Sequence, residues 1–156
     1  MTGRTVVIGV GNPLRGDDGA GPAAVEALRG RVPDGTVLTV SDGEPARLLD
    51  LWDGADAVVV VEALRGAPAR PGTLHTFTAA EAAGRTAGTA STHALGLGDC
   101  LALAEALGRL PRRLVVHAVE VADVALGEGL SDAVRSALPE LVDRVAASVR
   151  RERKRE

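Results

Sequence analysis

A chain of 156 residues, 46% hydrophobic and 25% charged, has the balance of one soluble globular domain, large enough to bury a core without disulfide or metal staples. Its net charge of −3 excludes a general electrostatic grip on nucleic acid. The single cysteine, Cys100, excludes an intrachain disulfide and a cysteine-built zinc site, and the apolar run at residues 5–10 is far too short for a signal or a membrane span. The expectation is therefore one domain over residues 1–156, monomeric and cytoplasmic, with no nucleic-acid or membrane partner. Trp52 and Phe77 are the only large aromatic residues, so the core has to be built from Val, Leu and Ala.

In chain order, Thr5 to Val10 is an unbroken, largely β-branched run that ends in Gly9-Val10-Gly11-Asn12-Pro13, a buried strand entering a loop. Ala20 to Leu28 has helical spacing, stopped by Gly30 and Pro33. Thr36 to Val40 predicts a second strand and Glu44 to Trp52 a short helix. Ala57 to Val61 is apolar at every position, as a strand covered on both faces must be. Thr73 to Thr78 alternates like an edge strand, and residues 79–91 read as a short helical turn followed by a loop. His93 to Leu107 predicts a helix and Leu114 to Val119 another buried strand. Ser131 is positioned to cap a last long helix. Its charged end, residues 151–156, reads as a solvated terminus with cations at the negative pole of the dipole. Strands alternating with helices point to an α/β three-layer sandwich, with a mostly parallel twisted central sheet and helices on both faces. In such folds ligands bind beyond the C-terminal ends of the strands.

Three segments near that edge carry chemistry. The first is Gly9-Val10-Gly11-Asn12-Pro13-Leu14-Arg15-Gly16-Asp17-Asp18-Gly19-Ala20-Gly21. It is not a dinucleotide fingerprint: Leu14 stands where the third glycine is needed, and Pro13 lacks an N–H that a phosphate would use. No nucleotide cofactor is expected. Two adjacent acids precede a helix; one is accounted for by capping, a role given to Asp17 in which asparagine serves about as well as aspartate. Small neighbours, Gly16, Gly19 and Gly21, leave room for something to approach Asp18.

The second is Glu62, directly after the apolar run. A carboxylate there calls for a cation or proton nearby, whether a ligand or simply Arg65 or Arg15. The third is Ser91-Thr92-His93-Ala94-Leu95-Gly96-Leu97, which puts His93 in a first helical turn, where the dipole favours neutral imidazole. Two carboxylates and a neutral imidazole suit a divalent transition metal with open positions, nickel or zinc. Cys100, seven residues beyond His93, is about 10 Å along a helix axis and too far for a thiolate–imidazole pair, so it reads as a core thiol. His75 and His117 have no acid beside them in a motif and read as structural.

These segments, in this order, resemble the hydrogenase maturation protease family over nearly the whole chain, from Val6 to about Leu141. The pattern Gly-Asn-x-Leu-x-x-Asp-Asp-Gly after the first strand, the Ser-x-His-x-Leu-Gly-Leu stretch at 91–97 and the turn Gly127-Glu128-Gly129-Leu130-Ser131 carry the resemblance. It implies an α/β sandwich and an endopeptidase that removes the C-terminal extension of a nickel-loaded nickel–iron hydrogenase large-subunit precursor. It also implies a nickel-recognition site formed by Asp18, Glu62 and His93, the nickel being supplied by the precursor. Glu62 departs from the aspartate common at that position in the family. For the cut itself, a carboxylate acting as general base on water and a metal polarising the scissile carbonyl or the water are both open; Asp18 is the better candidate base. The alternative is a nickel-sensing escort that binds the precursor without cutting it.

Overall fold

The computed structural model describes residues 3–66, 68–83, 90–91, 97–122, 127 and 129–154. Within them, β1 (Thr5–Val10), β2 (Val37–Ser41), β3 (Ala57–Arg65), β4 (Leu74–Thr78), β5 (Ala90–Ser91) and β6 (Arg113–Glu120) form one sheet in the order β2-β1-β3-β6-β4, with β5 pairing off β3. β2, β1, β3 and β6 run parallel. β4 is antiparallel to β6, and β5 to the end of β3. β1 is buried at every residue and β3 at every residue but Arg65. That is the reason both segments are unbroken apolar runs: each lies inside the sheet and is covered on both faces. β2 and β4 lie at the two edges and are mixed in burial.

Residue alternation sends successive side chains of the central strands to opposite faces. Val6, Ile8, Val58 and Val60 pack with α2 (Pro45–Trp52) and α4 (Leu97–Ala106) through Leu48, Trp52 and Leu101. Val7, Val59 and Val61 pack with α1 (Ala20–Leu28) and α5 (Asp132–Lys154) through Leu28, Leu141 and Val145. The architecture is thus an α/β three-layer sandwich with a mostly parallel sheet and helices on both faces, as expected. α3 (Ala79–Ala83) follows the edge strand β4. Among the described residues no helix is long and apolar enough to cross a membrane.

Local chemistry explains several boundaries. Glu44 is not the first helical residue of α2 but its cap, accepting from the N–H groups of Ala46 (3.1 Å) and Arg47 (3.0 Å), with Pro45 pre-set for the first turn. Trp52, 1% exposed, is anchored by donation from Nε1 to the Arg109 carbonyl at 3.1 Å. The basic end of α5 is helical through Lys154 and is tied to the body of the protein. Glu152 pairs with Arg113, and Arg153 donates to the Asp34 carbonyl at 3.2 Å. Arg151, Arg153 and Lys154 stay exposed in the last turn of α5, as a solvated helix end with cations at the negative pole of the dipole. Residues 90 and 91, read as loop, form β5.

His117 is structural, as read. It is 2% exposed, with Nδ1 3.0 Å from Thr76 Oγ1 and Nε2 2.7 Å from Ser148 Oγ on α5. Burial, reinforced by the charges of Arg151 and Arg144, lowers its pKa from 6.5 to about 4. The unfolded chain therefore binds a proton that the folded chain refuses, and stability falls as pH drops from about 6.5 to about 4. We expect this one residue to account for up to about 3 kcal/mol of that loss. Urea unfolding between pH 7 and pH 4 checks it: His117→Gln should flatten the decline, and an unchanged slope would refute the assignment.

Candidate functional site

The loop after β1 is built so that its own main chain folds back on itself. Gly11 has a φ of +149°, and a Cβ there would lie 1.8 Å from the Asp18 carbonyl oxygen. Only glycine permits that approach. Asn12 holds both sides of the turn: its Oδ1 accepts from the Leu14 N–H (2.9 Å), and its own N–H donates to Asp18 Oδ2 (2.9 Å). Asp18 is thereby fixed at 1% exposure in a short 3-10 turn, Gly16–Gly19, that packs against β3. Contrary to the expectation from sequence, Gly21 does not line an opening. A Cβ there would meet the carbonyl oxygens of Val10 (2.6 Å) and Val61 (2.7 Å), so its role is to let α1 lie flat on β1 and β3. Gly16 and Gly19 line a cavity of about 340 Å³ together with Pro13, Pro22 and Leu130.

Asp17 departs from its expected role. Neither the 3-10 turn nor α1 has a side-chain cap. Asp17 is 0% exposed and reaches across the molecule instead. Its Oδ1 accepts from the Ser131 N–H at 2.6 Å; its Oδ2 accepts from the Ala122 N–H at 2.9 Å and the Ser131 hydroxyl at 2.8 Å. Two main-chain bonds run alongside, Gly16 N–H to the Gly127 carbonyl and Gly127 N–H to the Leu14 carbonyl, both 2.8 Å. The acidic loop is thus stitched to the chain that follows β6, up to the residue preceding α5. Ser131 does sit at the start of α5, but its hydroxyl is only 3.5 Å from the Val134 N–H, a poor cap beside the bond it donates to Asp17.

Glu62 lies within β3, not after it: the strand continues to Arg65. It shares the face of Val58 and Val60, the side covered by α2 and α4, and is 5% exposed. Cys100 on α4 senses it. Burial first, then the charges of Glu44 and Glu62, push the thiol up to about 11. Cys100 is 1% exposed, with Sγ 3.9 Å from the Pro45 carbonyl oxygen, the core thiol the sequence predicts.

The structure therefore brings the Asp18 turn against the strand that carries Glu62, both at the C-terminal edge of the sheet. His93 lies outside the described residues; the chain ahead of it is placed, with Ser91 paired to Leu64 of β3. Among the described residues no group of three His, Cys, Asp or Glu side chains is arranged to hold a metal ion. Chemically, the two buried carboxylates offer proton acceptors or hard oxygen donors.

Sequence reasoning passed over one pair. His75 Nε2 lies 2.9 Å from Glu120 Oε2, and Glu120 Oε1 accepts from the Arg70 N–H at 3.2 Å. The hydrogen bond from His75, then that from Arg70, draws the Glu120 pKa below its ordinary value against the opposing effect of burial. The signal that picked out Glu62, an acid closing a buried apolar strand, applies equally to Glu120 at the end of β6.

A family model described as hydrogenase maturation protease matches residues 22–148. Among curated proteins, the chain is 30% identical over 151 residues to the hydrogenase 2 maturation protease of Escherichia coli K12, covering 94% of this chain and 91% of that one. The solved hydrogenase maturating endopeptidase HybD from E. coli superposes with a TM-score of 0.80 at 28% identity, over 95% of this chain and 93% of that one. The NiFe hydrogenase maturation protease HybD from Thermococcus kodakarensis superposes with a TM-score of 0.74 at 25% identity, over 94% and 99% of the two chains.

Proposed function

The chain belongs to the hydrogenase maturation protease family, a family of peptidases, and on that premise we propose that it removes the C-terminal extension of a nickel–iron hydrogenase large-subunit precursor, in the cytoplasm, once that precursor holds its nickel. Asp18, Glu62 and His93 recognise the nickel of the substrate, and Asp18 is also the base that activates the hydrolytic water. The observation that carries the reading is the burial of two acids at one sheet edge: Asp18 at 1% exposure in a turn packed on the strand that presents Glu62 at 5%. Carboxylates held this way suit a cation, and a histidine adds the borderline donor that nickel favours over magnesium or calcium. Ser91, two residues before His93 in sequence, is paired beside Leu64, two residues beyond Glu62. Three protein donors leave coordination positions open, as they must be if the metal arrives already held by another protein.

The chemistry is general-base hydrolysis with the metal-bound substrate as its own template. Asp18 takes a proton from water as the oxygen attacks the scissile carbonyl. Recognition of the loaded centre sets the register of the extended peptide over the site. The extra methylene of Glu62, where relatives commonly carry aspartate, keeps the charge and donor atom and moves them outward by one bond.

The test is processing of paired precursors, one nickel-loaded and one nickel-free, followed by mass spectrometry of the large subunit. The loaded precursor should be shortened and the nickel-free one left whole. Equal shortening of both would remove the nickel gate; tight binding of the loaded precursor with no cut would favour the non-cleaving escort.

A further inference from the structure

Glu62 on β3 and His75 on β4 are register partners of the same residue, Ala118 on β6, one on each side of it. They also share a face. Phe77, two residues from His75 on β4, packs against the cluster that holds Val58 and Val60, and the imidazole lies stacked with the Phe77 ring at 5.7 Å and 10°. With strands about 4.8 Å apart, the Cα atoms of Glu62 and His75 are separated by about 10 Å. Only the methyl group of Ala118 stands between them in that row. His75 is accessible, its side chain 31% exposed, whereas the Glu120 carboxylate that holds Nε2 is 7% exposed and fixed on its other oxygen by the Arg70 N–H. A buried acid that orients a solvent-facing imidazole is the arrangement by which proteins set a histidine for work on a ligand at its other nitrogen.

We propose that His75, held by Glu120, is a further group of the same active site, the acid that hands the leaving amine its proton as the peptide bond breaks. The inference rests on the peptidase reading above and completes its proton balance. Water loses a proton to Asp18 while its oxygen bonds to the carbonyl carbon. The C–N bond then breaks, and the departing nitrogen takes a proton from Nδ1 of the His75 imidazolium. The Asp18 proton returns to solvent and His75 is reprotonated, so one water is consumed and no other co-reactant is needed. A histidine whose lone pair is committed to nickel does not serve as that donor, so the assignment of His93 to nickel recognition leaves the task to another group. His75 is a catalytic residue in this scheme, and Glu120 a positioning residue that holds its Nε2.

The experiment compares wild type, His75→Gln and Glu120→Gln on the nickel-loaded precursor and on the same precursor rebuilt with an ester at the cut, once mass spectrometry has located it. Gln at position 75 keeps a donor for Glu120 but carries no transferable proton. His75→Gln should lower kcat on the amide by about 10²–10⁴-fold at unchanged KM, and on the ester by less than about tenfold, because an alkoxide leaves with far less need of a proton. Glu120→Gln should follow in direction, in kcat alone, and with the same preference for the ester. If His75→Gln fails to fold, as judged by urea unfolding, Glu120→Gln carries the test alone. Wild-type rates in both variants, or equal slowing of amide and ester, would overturn the inference while leaving the peptidase reading intact. A wild type that leaves the loaded precursor whole would overturn the peptidase reading and this inference with it.

Discussion

Replacing Asp17 by alanine is expected to cost about 3 kcal/mol or more, because three donors now bonded to one buried carboxylate would be stranded, and each stranded buried donor costs on the order of 1–3 kcal/mol. The donors are the N–H groups of Ala122 and Ser131 and the Ser131 hydroxyl. Asparagine does not rescue the site as it would rescue a cap. One carbonyl oxygen can keep the Ser131 N–H, but the amide NH₂ then faces the Ala122 N–H, donor against donor; about 2 kcal/mol of the loss should remain. Ser131→Ala should be milder, near 1 kcal/mol, since it removes one bond and leaves both main-chain donors in place. In a double-mutant cycle Asp17→Ala and Ser131→Ala should be strongly non-additive. Urea midpoints measure all of this, and an Asp17→Asn variant as stable as wild type would show that the carboxylate does not tie the acidic loop to the chain after β6.

The contrast between Asp17 and Asp18 shows where sequence reading stops. Two acids before a helix read naturally as a cap and a ligand, because capping is a local rule and only local neighbours are visible in sequence. The partners of Asp17 are Ala122 and Ser131, more than a hundred residues away, and no periodicity points to them. The turn at 127–131 was legible only as part of a resemblance; the geometry supplies the reason it accompanies the acidic loop. The central strands were legible because burial on both faces writes itself as an unbroken apolar run, as in Val6 to Val10 and Ala57 to Val61. β5 was not legible, because two residues have no period and its existence depends on the overhang of β3 beyond Glu62. His75 has no acid within its own motif, while Glu120, 45 residues on, reaches it across antiparallel strands. Pairing across a sheet edge depends on register, which the sequence of one strand does not contain.

Asp18→Asn is expected to abolish most processing while leaving the fold in place. Asp18 accepts from the Asn12 N–H through Oδ2, and an asparagine carbonyl oxygen can take over that bond. What asparagine lacks is basicity: it takes no proton from water, and its donor strength toward a cation is weaker. Loss of a general base lowers the rate by about 10²–10⁴-fold, and the nickel-loaded precursor should be cut that much more slowly. Glu62→Asp provides the control within the same site. It restores the acid that relatives commonly carry, keeps the charge, and shortens the reach by one methylene, so processing should survive it. A base acting on water and an acid contacting only the cargo metal should also separate kinetically. Asp18→Asn should depress kcat, whereas Glu62→Gln should mainly weaken the preference for loaded over nickel-free precursor. Single-turnover cleavage followed by mass spectrometry distinguishes them. If Asp18→Asn processes the loaded precursor at the wild-type rate, the base lies elsewhere, and the burial of Asp18 serves the architecture of the loop alone.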